Sequence, residues 1–147
     1  MPDQDPTNVA RSLVEAFNTA EWDRFREISA ENVVYDEVGT RRKIEGIDKT
    51  LAALQGWKVA MPDVTGTVDS VVASGNVVTA QITWDGTHTG PLESPGGPIL
   101  ASGKRQVTPS CWVLNVEDGQ VQSSRHYFDM VAPLVQIGAL PAAQVQA

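Results

Sequence analysis

The chain has 147 residues, 41% of them hydrophobic, which fits one soluble domain whose core is large enough to fold without disulfides. Its formal net charge of −7 argues against nucleic-acid binding, and no apolar stretch approaches the ~20 residues that a membrane span needs. Because it has a single cysteine and no signal-peptide pattern, we expect a cytoplasmic protein without nucleic-acid or membrane partners.

The first half of the sequence predicts three helices and one strand. Thr7 can cap a first helix with an apolar face, and residues 22–28 extend the pattern into a second short helix. Residues 32–39 are β-branched and aromatic before turn residues, which indicates a strand. A third helix begins near Ile47 and is ended by Pro62.

The second half predicts long strands joined by short turns. The predicted strands cover residues 64–73, 77–88, 104–116 and 121–129. Neighbouring strands with short connections favour an antiparallel meander, and the tail returns to helical spacing near Pro133. We therefore predict one α+β domain over residues 1–147, with a curved antiparallel sheet wrapped around three N-terminal helices and a short C-terminal helix. The open end of such a cone can hold a small apolar ligand.

Several short stretches carry a family resemblance. They are "MPD" at 61–63, "GTHTGPL" at 86–92, "SGK" at 102–104, and "DGQV" leading to "YFDMVAPLVQIGAL" at 127–140. In order and spacing they resemble the SnoaL-like polyketide cyclase (ester cyclase) family, which has the nuclear transport factor 2-like fold, over roughly residues 7–140. The resemblance implies cofactor-independent acid–base catalysis on a hydrophobic small molecule, such as aldol-type cyclisation of a polyketide-like carbonyl compound.

The chemistry-bearing residues favour proton transfer. The sequence has no Gly-rich phosphate loop after a strand, no serine nucleophile elbow and no histidine pair at helical metal-ligand spacing, so we expect no cofactor and no metal. It does place carboxylates and a histidine at the ends of apolar strands. Burial there raises the proton affinity of a carboxylate and suits it to general acid–base work.

Asp129 is the first catalytic candidate. Strand alternation puts Arg125, Tyr127 and Asp129 on one face and His126 and Phe128 on the other. The resemblance assigns the face with Asp129 to the cavity and gives this aspartate the acid–base role, with Arg125 and Tyr127 contacting substrate. The alternative is that Asp129 caps the C-terminal helix.

His88 is the second candidate, in a chain with only two histidines. It shares a strand face with Trp84 and Gly86, and the glycine leaves room beside a ligand. A neutral imidazole there can hydrogen-bond a substrate carbonyl. It can equally hold the following loop by bonding a backbone group.

Asp36 is the third candidate. The stretch "VYDEVG" resembles the sequence around the general base of the ketosteroid isomerases, which share the fold. Those enzymes also use a tyrosine on the first helix, where this chain has Phe17, so Asp36 can instead be a solvated carboxylate. Arg125 can pair with Asp129 or Asp36, and such a trio resembles the limonene-type epoxide hydrolases.

Apolar residues are expected to shape the substrate site. Trp112 lies where several family members carry a histidine, and its type favours an aromatic wall. The Gly/Pro-rich loop 89–103 is predicted to form a mobile rim. The remaining residues expected to contact substrate are Phe17, Trp57, Trp84 and Leu92.

Two further functions stay open beside cyclisation. One is an isomerase or epoxide hydrolase, and the other is a non-catalytic module for ligand binding or dimerisation, since fold alone does not set function. We also predict a homodimer, because one face of the sheet carries many apolar residues. That face is expected to hold Val107, Cys111, Val113, His126 and Phe128.

Overall fold

The computed structural model describes residues 5–141, and in this range the chain forms a helical layer and one open, curved sheet. In chain order the elements are α1 (Pro6–Asn18), α2 (Trp22–Ile28), β1 (Ser29–Glu37), a 3₁₀ turn (Val38–Thr40), β2 (Arg42–Glu45), α3 (Ile47–Ala60), β3 (Thr65–Ser74), β4 (Val77–Thr87), β5 (Arg105–Glu117), β6 (Gln120–Phe128) and α4 (Val131–Gln136). The predicted α+β class is confirmed. None of the helices in the described range is long and apolar enough to cross a membrane.

The sheet has six strands in the order β2-β1-β6-β5-β4-β3. The predicted antiparallel meander from β3 to β6 is present, and β1 joins it in parallel with β6. The sequence pattern did not indicate β2, because its four residues "RKIE" lack the apolar alternation of a half-buried strand. This strand pairs antiparallel with β1 and thereby places Arg42 beside Glu37.

Helix α1 begins two residues earlier than predicted. Asp5, not Thr7, is the N-cap, since its carboxylate accepts the backbone N–H of Thr7 at 3.0 Å. Pro6 occupies the first helical position, where a missing N–H costs nothing. Leu13 and Phe17 lie on the buried face of the helix and pack into the core.

Helices α1 and α3 cover the concave side of the sheet, and the main core lies between the two layers. The inward residues of β4 and β5 alternate along each strand, so Ile82 and Leu114 are buried while Val107 is exposed. Toward the ends of β1, β4, β5 and β6 the helices do not fill this space. The packing therefore leaves a cavity at one end of the cone.

Candidate active site

An apolar cavity opens between the helices and the sheet. Its volume is about 70 Å³, and the empty space between the lining residues measures about 600 Å³ when the open solvent at the mouth is included. The lining contains no Lys, Arg, Asp or Glu side chain among the residues that the structure describes. It consists of Phe17, Tyr35, Leu54, Trp57, Met61, Val64, Trp84, Gln106, Thr108, Trp112, His126, Phe128 and Pro133.

Four of the residues expected to contact substrate lie on this wall: Phe17, Trp57, Trp84 and Trp112. Phe17 meets the ring of Trp84 edge to face, with centroids 5.2 Å apart. The aromatic wall is thus braced from both α1 and β4. Contact with a substrate stays a prediction for all four residues.

The predicted faces of β6 are wrong. His126 and Phe128 point into the cavity, whereas Arg125 and Tyr127 lie on the outer face of the sheet. The alternation was correct, but the orientation was reversed. The reversal also removes His126 and Phe128 from the apolar outer face, where Val107, Cys111 and Val113 remain.

The two predicted catalytic carboxylates, those of Asp129 and Asp36, lie outside the cavity. Asp129 is exposed, and its Oδ1 accepts the backbone N–H of Val131 at 2.9 Å, at the start of α4. Asp36 pairs with Arg125 on the outer face, with 3.5 Å between Oδ2 and Nε. The expected trio of Arg125 and two aspartates is therefore not assembled in the cavity, and the burial expected to tune Asp129 is absent.

His88 is buried but lies outside the cavity lining. Its Nδ1 accepts the backbone N–H of Ser102 at 3.2 Å and lies 3.0 Å from the Ser102 hydroxyl. These bonds hold the end of the 89–103 loop, which matches the second of the two roles considered for this histidine. Leu92 is also buried and outside the lining, because it exchanges backbone hydrogen bonds with Ile99 inside the loop.

Glu37 is the most fully enclosed carboxylate in the described residues. None of its side chain is exposed, whereas 47% of the Arg42 side chain is. One carboxylate oxygen accepts from Arg42 Nη2 and from the Thr40 hydroxyl, both at 2.6 Å. The other accepts from Trp57 Nε1 at 3.0 Å and from the Tyr35 hydroxyl at 2.8 Å. Both oxygens of the buried carboxylate therefore accept hydrogen bonds, as the burial of a charge requires.

Tyr35 connects Glu37 to His126. Its hydroxyl lies 3.0 Å from His126 Nδ1 and donates its only proton to Glu37. The tyrosine oxygen can therefore only accept from His126, which puts the imidazole proton on Nδ1 and leaves Nε2 as the acceptor. The Glu37–Tyr35 pair thus selects one tautomer of His126.

The other imidazole nitrogen is held from the neighbouring strands. His126 Nε2 lies 3.0 Å from the Ser110 hydroxyl and 3.3 Å from Trp84 Nε1. The ring of Trp112 stacks on the imidazole, with centroids 4.9 Å apart and planes 18° apart. The position and tilt of His126 are consequently fixed before any ligand arrives.

Burial sets the charge states in this network. Desolvation lowers the pKa of His126 to about 4, and the negative charge of Glu37 opposes this only in part. Burial also raises the pKa of Glu37, but hydrogen bonds from Thr40, Arg42 and Trp57 outweigh it, so the net pKa lies below the ordinary value. Burial and the Glu37 charge raise the pKa of Tyr35 well above its usual range. At neutral pH the network therefore holds a carboxylate, a phenol and a neutral imidazole.

Gln106, on the inward face of β5, supplies a polar group to the cavity wall. Its Oε1 accepts from the Thr108 hydroxyl at 2.5 Å, while its amide nitrogen bonds no group within residues 5–141. Both residues belong to β5 and line the cavity. The amide N–H groups of Gln106 are thus available to a ligand oxygen. Within the same range, no three metal-binding side chains lie together.

Four residues of the site were not predicted from the sequence: Tyr35, Glu37, Gln106 and His126. The spacing of Glu37, Thr40 and Arg42 could have indicated that Glu37 is buried. A carboxylate followed within five residues by a hydroxyl and a guanidinium can be buried, because these nearby side chains donate hydrogen bonds to it. For β6 the signal was the arginine: an inward guanidinium needs a partner, and His126 costs less to bury.

Comparison with known proteins agrees with this architecture. A model of the SnoaL-like polyketide cyclase family matches residues 7–137. The chain belongs to this family. A search of curated proteins found no match.

Solved structures with the same fold carry different functional descriptions. IdmH of Streptomyces antibioticus, assigned as a polyketide cyclase, is 25% identical, with a TM-score of 0.79 over 91% of this chain and 99% of that one. AclR of Streptomyces galilaeus, assigned as a hydroxylase, is 23% identical, with a TM-score of 0.79 over 95% and 85%. A protein with a ketosteroid isomerase-like fold from Catenulispora acidiphila is 16% identical, with a TM-score of 0.75 over 94% and 97%.

Proposed function

We propose that this chain catalyses cofactor-independent acid–base chemistry on an uncharged, hydrophobic carbonyl compound, and that the reaction is an aldol-type ring closure of a polyketide-like substrate. The observation that carries the proposal is His126, a neutral imidazole on the wall of an apolar cavity with its tautomer selected by Tyr35 and Glu37. Because its pKa is about 4, this imidazole is neutral at neutral pH and can act as a weak base.

The lining defines the class of substrate. A carboxylate or ammonium group would lose its water in this cavity and gain no ionic partner, because no charged side chain is among the described lining residues. The aromatic side chains of Trp57, Trp84, Trp112 and Phe128 favour a substrate with flat apolar rings. Gln106 can donate to a carbonyl oxygen and so fix the orientation of the substrate.

The proposed reaction conserves atoms and charge. Once the Ser110 hydroxyl has turned from His126 Nε2 to the Ile82 carbonyl, Nε2 removes a proton from the carbon next to a ketone, and the electron pair of the broken C–H bond forms an enolate. Gln106 stabilises the enolate oxygen by hydrogen bonding. The enolate carbon then attacks a second carbonyl of the same molecule and closes a C–C bond. The new alkoxide takes the proton back from His126, which leaves an isomer of the substrate.

Proton removal can be measured separately from ring closure. The purified protein is incubated in D₂O with a panel of polyketide esters able to close a ring, ketosteroids and epoxides. Deuterium next to the carbonyl is followed for the esters and ketosteroids, and product formation is followed for the whole panel. We expect His126→Gln to lower both rates by about 10²–10⁴-fold. Asp129→Asn is the matched control on the same strand end, and it should retain the parent rates.

Two results would overturn the proposal. One is parental deuterium uptake and turnover in His126→Gln. The other is tight binding of panel compounds without exchange or conversion, which would make the chain a non-catalytic binding module. Action in the cytoplasm and as a homodimer belongs to the same proposal: a single cysteine fits a reducing compartment, and Val107, Cys111 and Val113 on the outer sheet face fit a dimer contact.

A further inference from the structure

The hydroxyl of Ser110 lies within hydrogen-bonding distance of three groups. Its hydroxyl oxygen lies 2.8 Å from Trp84 Nε1, 3.0 Å from His126 Nε2 and 3.2 Å from the carbonyl oxygen of Ile82. The indole N–H can only donate, and the carbonyl can only accept. The single proton of Ser110 therefore has two alternative acceptors, His126 Nε2 and the Ile82 carbonyl.

The first arrangement suits the neutral state, because the Ser110 hydroxyl, at 3.0 Å, is closer to Nε2 than Trp84 Nε1, at 3.3 Å. With the imidazole proton on Nδ1, the Nε2 lone pair accepts from Ser110, and Ser110 accepts from Trp84. The hydrogen bonds then run in one direction, from Trp84 through Ser110 and His126 to Tyr35 and Glu37. In this state the lone pair of Nε2 is occupied.

The protonated state requires the second arrangement. An imidazolium carries a proton on Nε2 as well as on Nδ1, and this proton needs an acceptor because the residue is buried. Within the described residues, two side-chain atoms lie at hydrogen-bonding distance from Nε2, and the one on Trp84 cannot accept. Ser110 can accept if its own proton turns to the Ile82 carbonyl.

We propose that Ser110 is a positioning residue that stabilises both protonation states of His126. Its hydroxyl donates to Nε2 when the imidazole is neutral. When the imidazolium forms, the hydroxyl rotates to donate to the Ile82 carbonyl, and its oxygen accepts the Nε2 proton as a hydrogen bond. The role in turnover rests on the proposed function, in which the imidazolium is an intermediate. The hydrogen-bond exchange itself is a property of the resting protein. It needs no movement of the backbone, since both acceptors are already within 3.2 Å.

Other groups around His126 do not replace Ser110. From β1 the ring faces Tyr35 and, through it, the carboxylate of Glu37, which is paired with Arg42 of β2. From β4, β5 and β6 it faces Trp84, Trp112 and Phe128, none of which carries a side-chain acceptor. The Glu37 charge stabilises the imidazolium on the Nδ1 side, and Ser110 stabilises it on the Nε2 side.

The test is an NMR titration of labelled histidine in the intact protein, which needs no substrate. Ser110→Ala removes the acceptor, so we expect the pKa of His126 to fall by about one unit. At about pH 4 this reduces the imidazolium fraction from near one half to near one tenth, with folding checked by the amide spectrum. Ser110→Thr keeps a hydroxyl and should restore the parent titration.

Two more variants make the direction of the shift diagnostic. Trp84→Phe removes a donor that opposes the Nε2 proton, so the pKa of His126 should rise, opposite to the effect of Ser110→Ala. Thr108→Val is the matched control, because Thr108 is another inward hydroxyl of β5 and bonds Gln106 rather than His126. It should leave the His126 titration in place.

The proposal is overturned if Ser110→Ala titrates as the parent does, or if Ser110→Ala and Trp84→Phe shift the pKa in the same direction. With a converted substrate, Ser110→Ala should lower kcat and leave KM close to the parent value, since Ser110 is not a lining residue. If the titrations behave as expected and no panel compound is turned over, the proposed function fails while the role of Ser110 in the protonation of His126 stands.

Discussion

The burial of His126 makes the stability of the protein depend on pH. Its pKa is about 4 in the folded chain and near 6.5 when the chain is unfolded. Between these values the unfolded chain binds the extra proton, so the free energy of unfolding rises with pH. The contribution is fully present above pH 6.5 and is lost as the pH falls toward 4. From about pH 7 to about pH 4.5 the linkage removes about 2 kcal/mol of stability.

Urea unfolding at a series of pH values measures this loss. The His126→Phe variant provides the reference, because phenylalanine cannot titrate and keeps an aromatic ring beside Trp112. Glu37 also loses stabilisation in acid, since its folded pKa is lowered, but that loss occurs in both proteins. We expect the parent to lose about 2 kcal/mol more than the variant over this interval. Parallel pH profiles of the two proteins would refute the assignment of a buried, neutral His126.

Three other predictions concern the surroundings of the cavity. Asp129→Asn should retain activity and the α4 cap, because Asp129 is exposed outside the cavity and asparagine also accepts a hydrogen bond from Val131; a loss of turnover above 10²-fold would return Asp129 to the mechanism. Gly39→Ala should destabilise by about 1–3 kcal/mol in thermal melts, since a Cβ there would lie 2.7 Å from the Phe128 ring and backbone oxygen; an unchanged melting temperature would contradict this packing. Sedimentation at micromolar concentration should show a homodimer through the outer sheet face, and Val107→Glu should dissociate it; a parent monomer would contradict that prediction.

The order of elements could be predicted from the sequence because each long element has a clear period. Helix α1 shows apolar residues at helical spacing, and the strands β3 to β6 alternate, with short turns from β3 to β4 and from β5 to β6. Strand β2 could not be predicted in this way. Its residues are mostly exposed and charged, and pairing with β1 stabilises it as a strand.

The site was harder to predict because alternation gives two faces and does not say which one is buried. Along β6 both faces carry an aromatic ring and a basic group, with Arg125 and Tyr127 on one and His126 and Phe128 on the other. Tertiary contacts determine which face is buried. Asp36 pairs with Arg125 on the outer face, while Tyr35 and Ser110 bond His126 on the inner face. These partners lie 16 to 91 residues away in the chain, beyond the reach of local patterns.

Glu37 illustrates a second limit of sequence reasoning. A glutamate at the end of a strand is usually exposed, and Asp36 beside it is the residue that resembles a known general base. Its burial becomes favourable only when Arg42, Thr40 and the Trp57 indole from α3 converge on its two oxygens. The indole comes from a helix 20 residues away, so its contribution is visible only in the fold.

The pH dependence of kcat/KM for a converted substrate tests the central claim most directly. If His126 is the acid–base group, kcat/KM should decrease as the pH falls through about 4, because His126 of the free protein becomes protonated there. This decrease should disappear in His126→Gln, together with most of the activity, and persist in Asp129→Asn. A decrease that stays at the same pH and amplitude in His126→Gln would contradict the account.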